Sequence, residues 1–161
     1  MASPAYVWLI DNQGNPILSD SRVTGREKSI EALAFEYCVN IPTDKFTGST
    51  TGTRQHMTVQ LTKSYCPASP ILFDACCHGK TLKQMIIKWY RISKHGKEEE
   101  YFTHLLDDVK VVSYKQTLAH VKETKHDKYT HQDQIEFRFA KITLKHHDGN
   151  IEASDEWINR S

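Results

Sequence analysis

Three clusters in the chain hold residue types able to do chemistry: Cys66 with Cys76, Cys77 and His78; the pair Asp107-Asp108; and the pair His146-His147. The first would be a zinc site if its spacing followed a finger or ribbon. It follows neither, and adjacent residues on a helical turn point different ways. In a chain made in a reducing compartment the four cysteines (the fourth is Cys38) read as thiols rather than a disulfide frame. Paired acids at a strand end, as at Asp107-Asp108, ordinarily make a turn. His146 and His147 fall on a strand pattern, so their side chains face opposite sides and cannot share a metal without distortion. A nucleophilic enzyme needs Ser or Cys beside His and an orienting acid. The nine His are scattered, and no G-x-S-x-G frame surrounds any Ser. Gly48 and Gly52 stand among Ser and Thr as in a phosphate loop, but the required Lys-Ser/Thr and following helix are missing. We therefore expect no catalytic residue, no cofactor and no metal site. The sequon Asn159-Arg160-Ser161 is read as a chance match.

Two binding classes stay open as the alternative function. Lys110, Lys115, Lys122, Lys125 and Lys128, with Tyr114, Tyr129 and several His, would suit single-stranded nucleic acid. Glu123, Asp127 and Asp133 dilute that surface, and the net charge is only +1, which favours a solvated face and no nucleic-acid partner. A small-ligand β-barrel needs inward residues that leave space. Trp8, Trp89, Phe35, Phe137 and Phe139 are expected inward and would fill it.

The elements that would position these residues are mostly strands. At 161 residues, 39% hydrophobic and 25% charged, the chain is sized for one soluble domain, 1–161. Residues 6–10 make a β-prone run closed by the turn signal 11–16. In 28–41, Leu33, Phe35, Tyr37, Val39 and Ile41 recur at period two and predict one half-buried strand. Met57, Val59 and Leu61 predict another. Ser69 as N-cap, Pro70 at the first position and Gly79 past the end predict one helix over 70–78. Residues 82–93 and 99–106 predict a hairpin turned at 94–97, continued by 109–114. The polar stretch 115–134 reads as a solvated loop or short helix. Ile135, Phe137 and Phe139 alternate, then Ile142 and Leu144 slip phase near Ala140-Lys141, which predicts a bulge or a barrel corner. Asp148-Gly149 turns the chain into a last strand, 151–158. The N-terminus is too short and polar for a secretory h-region or a span, and no later run approaches ~18 apolar residues. No membrane insertion and no cleavable signal peptide are expected. The fold class is mainly β: a single compact β-barrel with one flanking α-helix and a long extended loop.

That loop, residues 41–56 (IPTDKFTGSTTGTRQH), is longer than a strand connection needs. Its Thr-rich centre suits disorder. It also suits an extended arm that reaches a neighbouring subunit, because Phe46 is an apolar residue in mid-loop and Thr pairs readily at an edge.

The runs AYVWLID, GREKSIEALAFEYCVNIPTD, TGTRQH, SPILFDA, GKTLKQMIIKWYRI, EEYFTHLLDDVKVVS and HDGNIEASDEW, in that order over 5–157, resemble the Hcp (haemolysin-coregulated protein) family. These are the tube proteins of bacterial type VI secretion. The resemblance implies a non-enzymatic barrel whose hexameric rings stack into a hollow tube. It implies as partners the chain itself, a VgrG spike, sheath and baseplate components, and effectors carried or chaperoned in the lumen. It further implies assembly in the cytoplasm followed by secretion. Some members carry a toxin domain after the barrel; with the chain stopping soon after Trp157, none is expected here. The cysteine and His78 cluster departs from the members expected, and exposed thiols there would crosslink subunits under oxidising conditions.

A ring needs two different patches that fit each other, and a tube that comes apart needs polar, weaker stacking contacts. On that basis stacking is expected at Thr43, Asp44, Lys45, Phe46, Thr53 and Arg54, and contacts within a ring near Tyr114 and Trp157. Arg54 as an ordinary strand-start charge, and Phe46 folded back on its own barrel, are the competing readings.

Overall fold

The longest strand, Glu98–Thr117, runs for 20 residues and is paired along both edges. The computed structural model describes residues 3–123 and 131–157. In chain order the described elements are β1 (Ala5–Ile10), β2 (Pro16–Ile17), β3 (Ile30–Ala32), β4 (Ala34–Glu36), β5 (Val39–Asn40), β6 (Gln55–His56) and β7 (Val59–Ser64). They continue with α1 (Ser69–Cys77), β8 (Thr81–Ile92), β9 (Glu98–Thr117), β10 (Gln132–Arg138), β11 (Lys141–His146) and β12 (Ile151–Glu156).

One edge of β9 pairs with β8, from Ile92↔Glu98 to Thr81↔Lys110. The other edge pairs first with β11, from His146↔Phe102 to Lys141↔Asp107, then with β10, from Arg138↔Lys110 to Gln132↔Thr117. So β10 and β11 lie end to end along one strand, and the phase slip at 140–141 is the junction between them. The turn expected at Asp107-Asp108 is instead a kink within β9. Asp108 has φ 51°, a left-handed backbone that Asp tolerates, while Asp107 accepts from the Ala140 amide at 2.9 Å. Both edges stay bonded through this point, so the chain bends without turning back.

The hydrogen-bonded path runs β2-β1-β8-β9-β10-β7-β4 and is open, so the barrel expected from the sequence is not a closed ring of strands. Its margins are bridged by one short segment. β3 pairs with β1, β4 pairs with β7, and the Leu33 amide between them donates to Thr62 O at 2.8 Å. That bend also breaks the single strand predicted over 28–41 into β3, β4 and β5. Phe35 and Tyr37 turn onto the core, while Leu33, Val39 and Ile41 stay exposed. Met57 is exposed too. The loop predicted over 115–134 is strand at both ends, in β9 and β10, because Gln132↔Thr117 closes that ladder. Lys125, Asp127, Lys128, Tyr129 and the end of the last predicted strand at Ile158 lie outside the described residues.

Inward positions of β1, β7, β8, β9 and β10 build the core, including Val7, Leu9, Leu61, Met85, Ile87, Leu106, Ile135 and Phe137. α1 seals one side with Leu72 and Ala75. Trp8 was expected inside but is half-buried on the other face, with the Lys88 ammonium 4.9 Å from its ring. Ser69 was expected to cap the helix. Ala68 is the N-cap, and Ser69 is the first helical residue, with its hydroxyl turned inward.

That hydroxyl meets two buried charges. Lys63 follows Val59 and Leu61 at period two, and Asp133 precedes Ile135 and Phe137 in the same phase, so both land inside. Lys63 Nζ donates to Asp133 Oδ2 at 2.6 Å and to Ser69 Oγ at 2.7 Å. Ser69 donates to Asp133 at 2.6 Å. Burial alone would raise the Asp133 carboxyl. The Lys63 and Ser69 hydrogen bonds outweigh it and hold it below the ordinary carboxylate range. Asp133→Asn leaves the lysine charge buried without its counter-ion and should cost about 3–5 kcal/mol in urea unfolding. The double variant Lys63→Met, Asp133→Leu should recover most of that loss.

His104 is a second buried polar residue. The Trp89 indole N–H donates to its Nδ1 at 2.8 Å. An indole only donates, so Nδ1 accepts and the ring is neutral. Burial lowers its pKa from 6.5 to about 4. The unfolded chain therefore takes a proton that the folded chain refuses between these values. Stability should be unaffected by this group above pH 6.5, fall by roughly 3 kcal/mol towards pH 4, then level off. His104→Gln should flatten that part of the urea-midpoint profile.

Candidate functional site

The residues expected to carry the function fall in the arm and at its root. Residues 41–56 are neither a disordered loop nor an open strand. β5 and β6 pair as Val39↔His56 and Asn40↔Gln55. The ladder continues through the bridge Thr43↔Thr50, with Thr51 N donating to Pro42 O at 2.8 Å and Asp44 N to Ser49 O at 2.7 Å. The tip is closed by one carboxylate. Asp44 Oδ1 accepts from the amides of Phe46 at 2.7 Å and Thr47 at 3.1 Å. Gly48 follows at φ 73°, where a side chain would be strained. This is Asx-turn chemistry, and it spends the Asp44 side chain on its own backbone.

Phe46 sits at that tip and is 99% exposed, so it does not fold back on its own chain. Lys45 beside it is exposed, as is Thr53 on the returning side of the hairpin, towards the root. Val39, Ile41 and Met57 add exposed apolar surface near the root, and Leu33 is exposed farther along, opposite Thr62 of β7.

The root is tied to the last strand. Arg54 Nε pairs with Asp155 Oδ2, and its Nη2 donates to Glu156 O at 3.2 Å. His56 Nε2 donates to the same Asp155 oxygen at 2.7 Å. Its Nδ1 lies 2.6 Å from the Tyr37 hydroxyl, whose pKa burial pushes up to about 12. Asp155 is held below the ordinary carboxylate range, first by its Arg54 hydrogen bond and then by His56, against the opposing effect of burial. Aromatic rings close around the cluster. Trp157 stacks on His56 at 5.7 Å, meets Phe139 edge-on at 4.9 Å, and has the Arg138 guanidinium 4.9 Å above its ring. A groove of about 410 Å³ beside it is lined by Lys110, Arg138, Phe139 and Trp157.

The structure thus brings Arg54 and Trp157 together at the root and places Thr43, Asp44, Lys45 and Phe46 at the tip. Tyr114 belongs elsewhere. It packs edge-on against Phe73 of α1 at 6.0 Å, and burial pushes its hydroxyl up to about 12. Its ring is therefore not free to stack beside Lys110 and Lys115. Sequence reading missed Asp155, His56 and Tyr37, because these three meet only in three dimensions.

The chemistry-bearing clusters read from the sequence stay apart. His78 pairs with Asp74 at 2.8 Å on an exposed helix end. His147 Nε2 lies 3.1 Å from Glu100 Oε1 and 2.8 Å from Thr103 Oγ1. Among the described residues no three His, Cys, Asp or Glu side chains gather to hold a metal. Ser69 with Lys63 has the composition of a Ser–Lys nucleophile, but Lys63 and Asp133 are wholly buried and leave no place for a substrate. Among the described residues no helix is long and apolar enough to cross a membrane.

Comparison with known proteins gives consistent matches. The family model described as "Type VI secretion system effector, Hcp" matches residues 8–146. The "Major exported protein" of Pseudomonas aeruginosa is 31% identical, over 98% of this chain and 96% of that protein. A doubly substituted Hcp1 from the E. coli EAEC 042 pathovar is 43% identical, with a TM-score of 0.87 over 97% of this chain and 99% of that one. The secreted protein Hcp3 from Pseudomonas aeruginosa is 28% identical, with a TM-score of 0.79 over 98% of this chain and 100% of that one.

If the root cluster aims the arm, Asp155→Ala should cost only about 1 kcal/mol globally, as a partly exposed ion pair does. It should nonetheless speed amide exchange selectively at Val39, Asn40, Gln55 and His56. Unchanged exchange there would mean that the arm holds itself.

Proposed function

This chain belongs to the Hcp family of type VI secretion proteins, and from that premise we propose that it is the tube subunit. The family is structural rather than enzymatic. In this reading 1–161 is one domain. Six copies close into a ring, rings stack into a hollow tube, and effectors travel or are chaperoned in the lumen. The partners are a second copy of the chain, a VgrG spike, sheath and baseplate components, and the effectors. Assembly takes place in the cytoplasm, and secretion follows without a cleavable signal.

The observation that carries this reading is the arm. A hairpin that projects a 99% exposed Phe46 places an apolar side chain where only another molecule can cover it. Thr43, Lys45, Phe46 and Thr53 are the stacking residues in this account. Asp44 acts by shaping the tip and Arg54 by fixing the root. The groove beside Trp157 and the exposed Leu33, Val39, Ile41 and Met57 supply the apolar surface for neighbours within a ring. Tyr114 contributes from beneath α1, by supporting the strand that carries it.

Deleting residues 45–51 removes the tip and leaves the β5–β6 pair and the root cluster in place. The variant should fold, keep its rings in sedimentation velocity runs, and lose both stacked tubes and secretion. Normal tubes and secretion from this variant would refute the assignment of the arm.

A further inference from the structure

Cys66 stands between a surface cavity and a buried amine. The cavity, about 190 Å³, is lined by Asp20, Ile30, Glu31, Tyr65 and Cys66 among others. Cys66 is half-buried and lines that cavity, so an oxidant small enough to enter it meets this residue. On the inner side, Lys63 Nζ lies 3.3 Å from Cys66 Sγ. Lys63 is fully buried and cannot swing away into water. The same Nζ donates to Asp133 Oδ2 at 2.6 Å, and that carboxylate also accepts from Ser69. Thiol, amine and proton acceptor thus form one chain of contacts, in which the amine and the acceptor are wholly buried and the thiol residue lines the cavity.

We propose that Lys63 and Cys66 are an oxidative modification site that closes a reversible Nζ–Sγ bond when the protein meets a hydroperoxide. In the first step the Cys66 thiol is oxidised to a sulfenic acid while hydrogen peroxide is reduced, releasing one water. In the second step the Lys63 ammonium gives a proton to Asp133, and the neutral amine attacks sulfur. The S–O bond breaks, and the departing oxygen takes the second amine proton and leaves as water. The product is a sulfenamide, the nitrogen counterpart of the disulfide that a sulfenic acid forms with a thiol. Asp133 ends protonated beside a neutral nitrogen, so no charge is left unpaired in the core. Two molecules of a thiol reductant restore thiol and amine and leave as one disulfide. The inference rests on these side chains alone and does not depend on the assembly reading.

The test uses the full chain with Cys38, Cys76 and Cys77 changed to Ser, which leaves Cys66 as the sole thiol. All three changed residues lie outside the pocket. Folded protein is treated with hydrogen peroxide and measured by intact mass and by non-reducing tryptic mapping. The expected product is a monomer lighter by two hydrogens and uncut after Lys63, with both changes reversed by dithiothreitol. A further Cys66→Ser change should abolish them. Normal cleavage after Lys63, with Cys66 carrying only added oxygen or joined to a second chain, would overturn the proposal.

Discussion

A two-stranded hairpin in water is marginal unless something holds it, and the arm of this protein has few bonds of its own. What holds it is one carboxylate on another strand. Asp155 receives both Arg54 and His56, the first and last side chains of the return strand's root, and fixes them against β12. His56 is buried between Tyr37 and Trp157, so the root is packed as well as bonded. That junction joins the root of the arm that carries Phe46 to the body of the protein. The tip is a separate device, in which Asp44 and Gly48 fold the turn locally. The arm is therefore tied at both ends by unrelated contacts, and a preorganised contact loses less entropy on binding than a flexible one.

β9 is the frame to which the junction is attached. β10 and β11 share one of its edges in succession, and β12, which bonds the root of the arm, is paired to that frame through β11. The bend at Asp108 allows a single strand to serve both partners. The buried Lys63–Asp133–Ser69 cluster joins β7, β10 and α1 where the sheet would otherwise present an apolar wall to the helix. Replacing such a pair by apolar residues is often neutral in stability. The register of β7 against β10 sets the two charges directly opposite each other, Lys63↔Asp133.

Much of this was legible in the residues. The alternation of Val59 and Leu61, and of Ile135 and Phe137, marked their strands, and Lys63 and Asp133 stood in the same phase, so their burial could have been read. The phase change after Phe139 located the junction of β10 and β11. The length and Thr content of 41–56, with Phe46 at its middle, pointed to an arm. What was not legible depended on distant partners. Period two predicted one strand across 28–41, but pairing with β1 on one side of Leu33 and β7 on the other bent it. Ser69 had the type and place of an N-cap, yet the buried pair took its hydroxyl. Asp107-Asp108 looked like a turn because nothing local revealed that β9 is bonded on both edges there. The ion pair of Arg54 with Asp155, 101 residues away, was likewise invisible in the sequence, where Arg54 was read only as a stacking contact or an ordinary strand-start charge.

The account stands on self-association through a projecting, preorganised segment. Electron micrographs of the purified, unmodified protein over a range of concentrations test it most directly. The account predicts rings with a wide central hole that stack end to end as concentration rises. Uniform small particles with no hole, at every concentration, would contradict it.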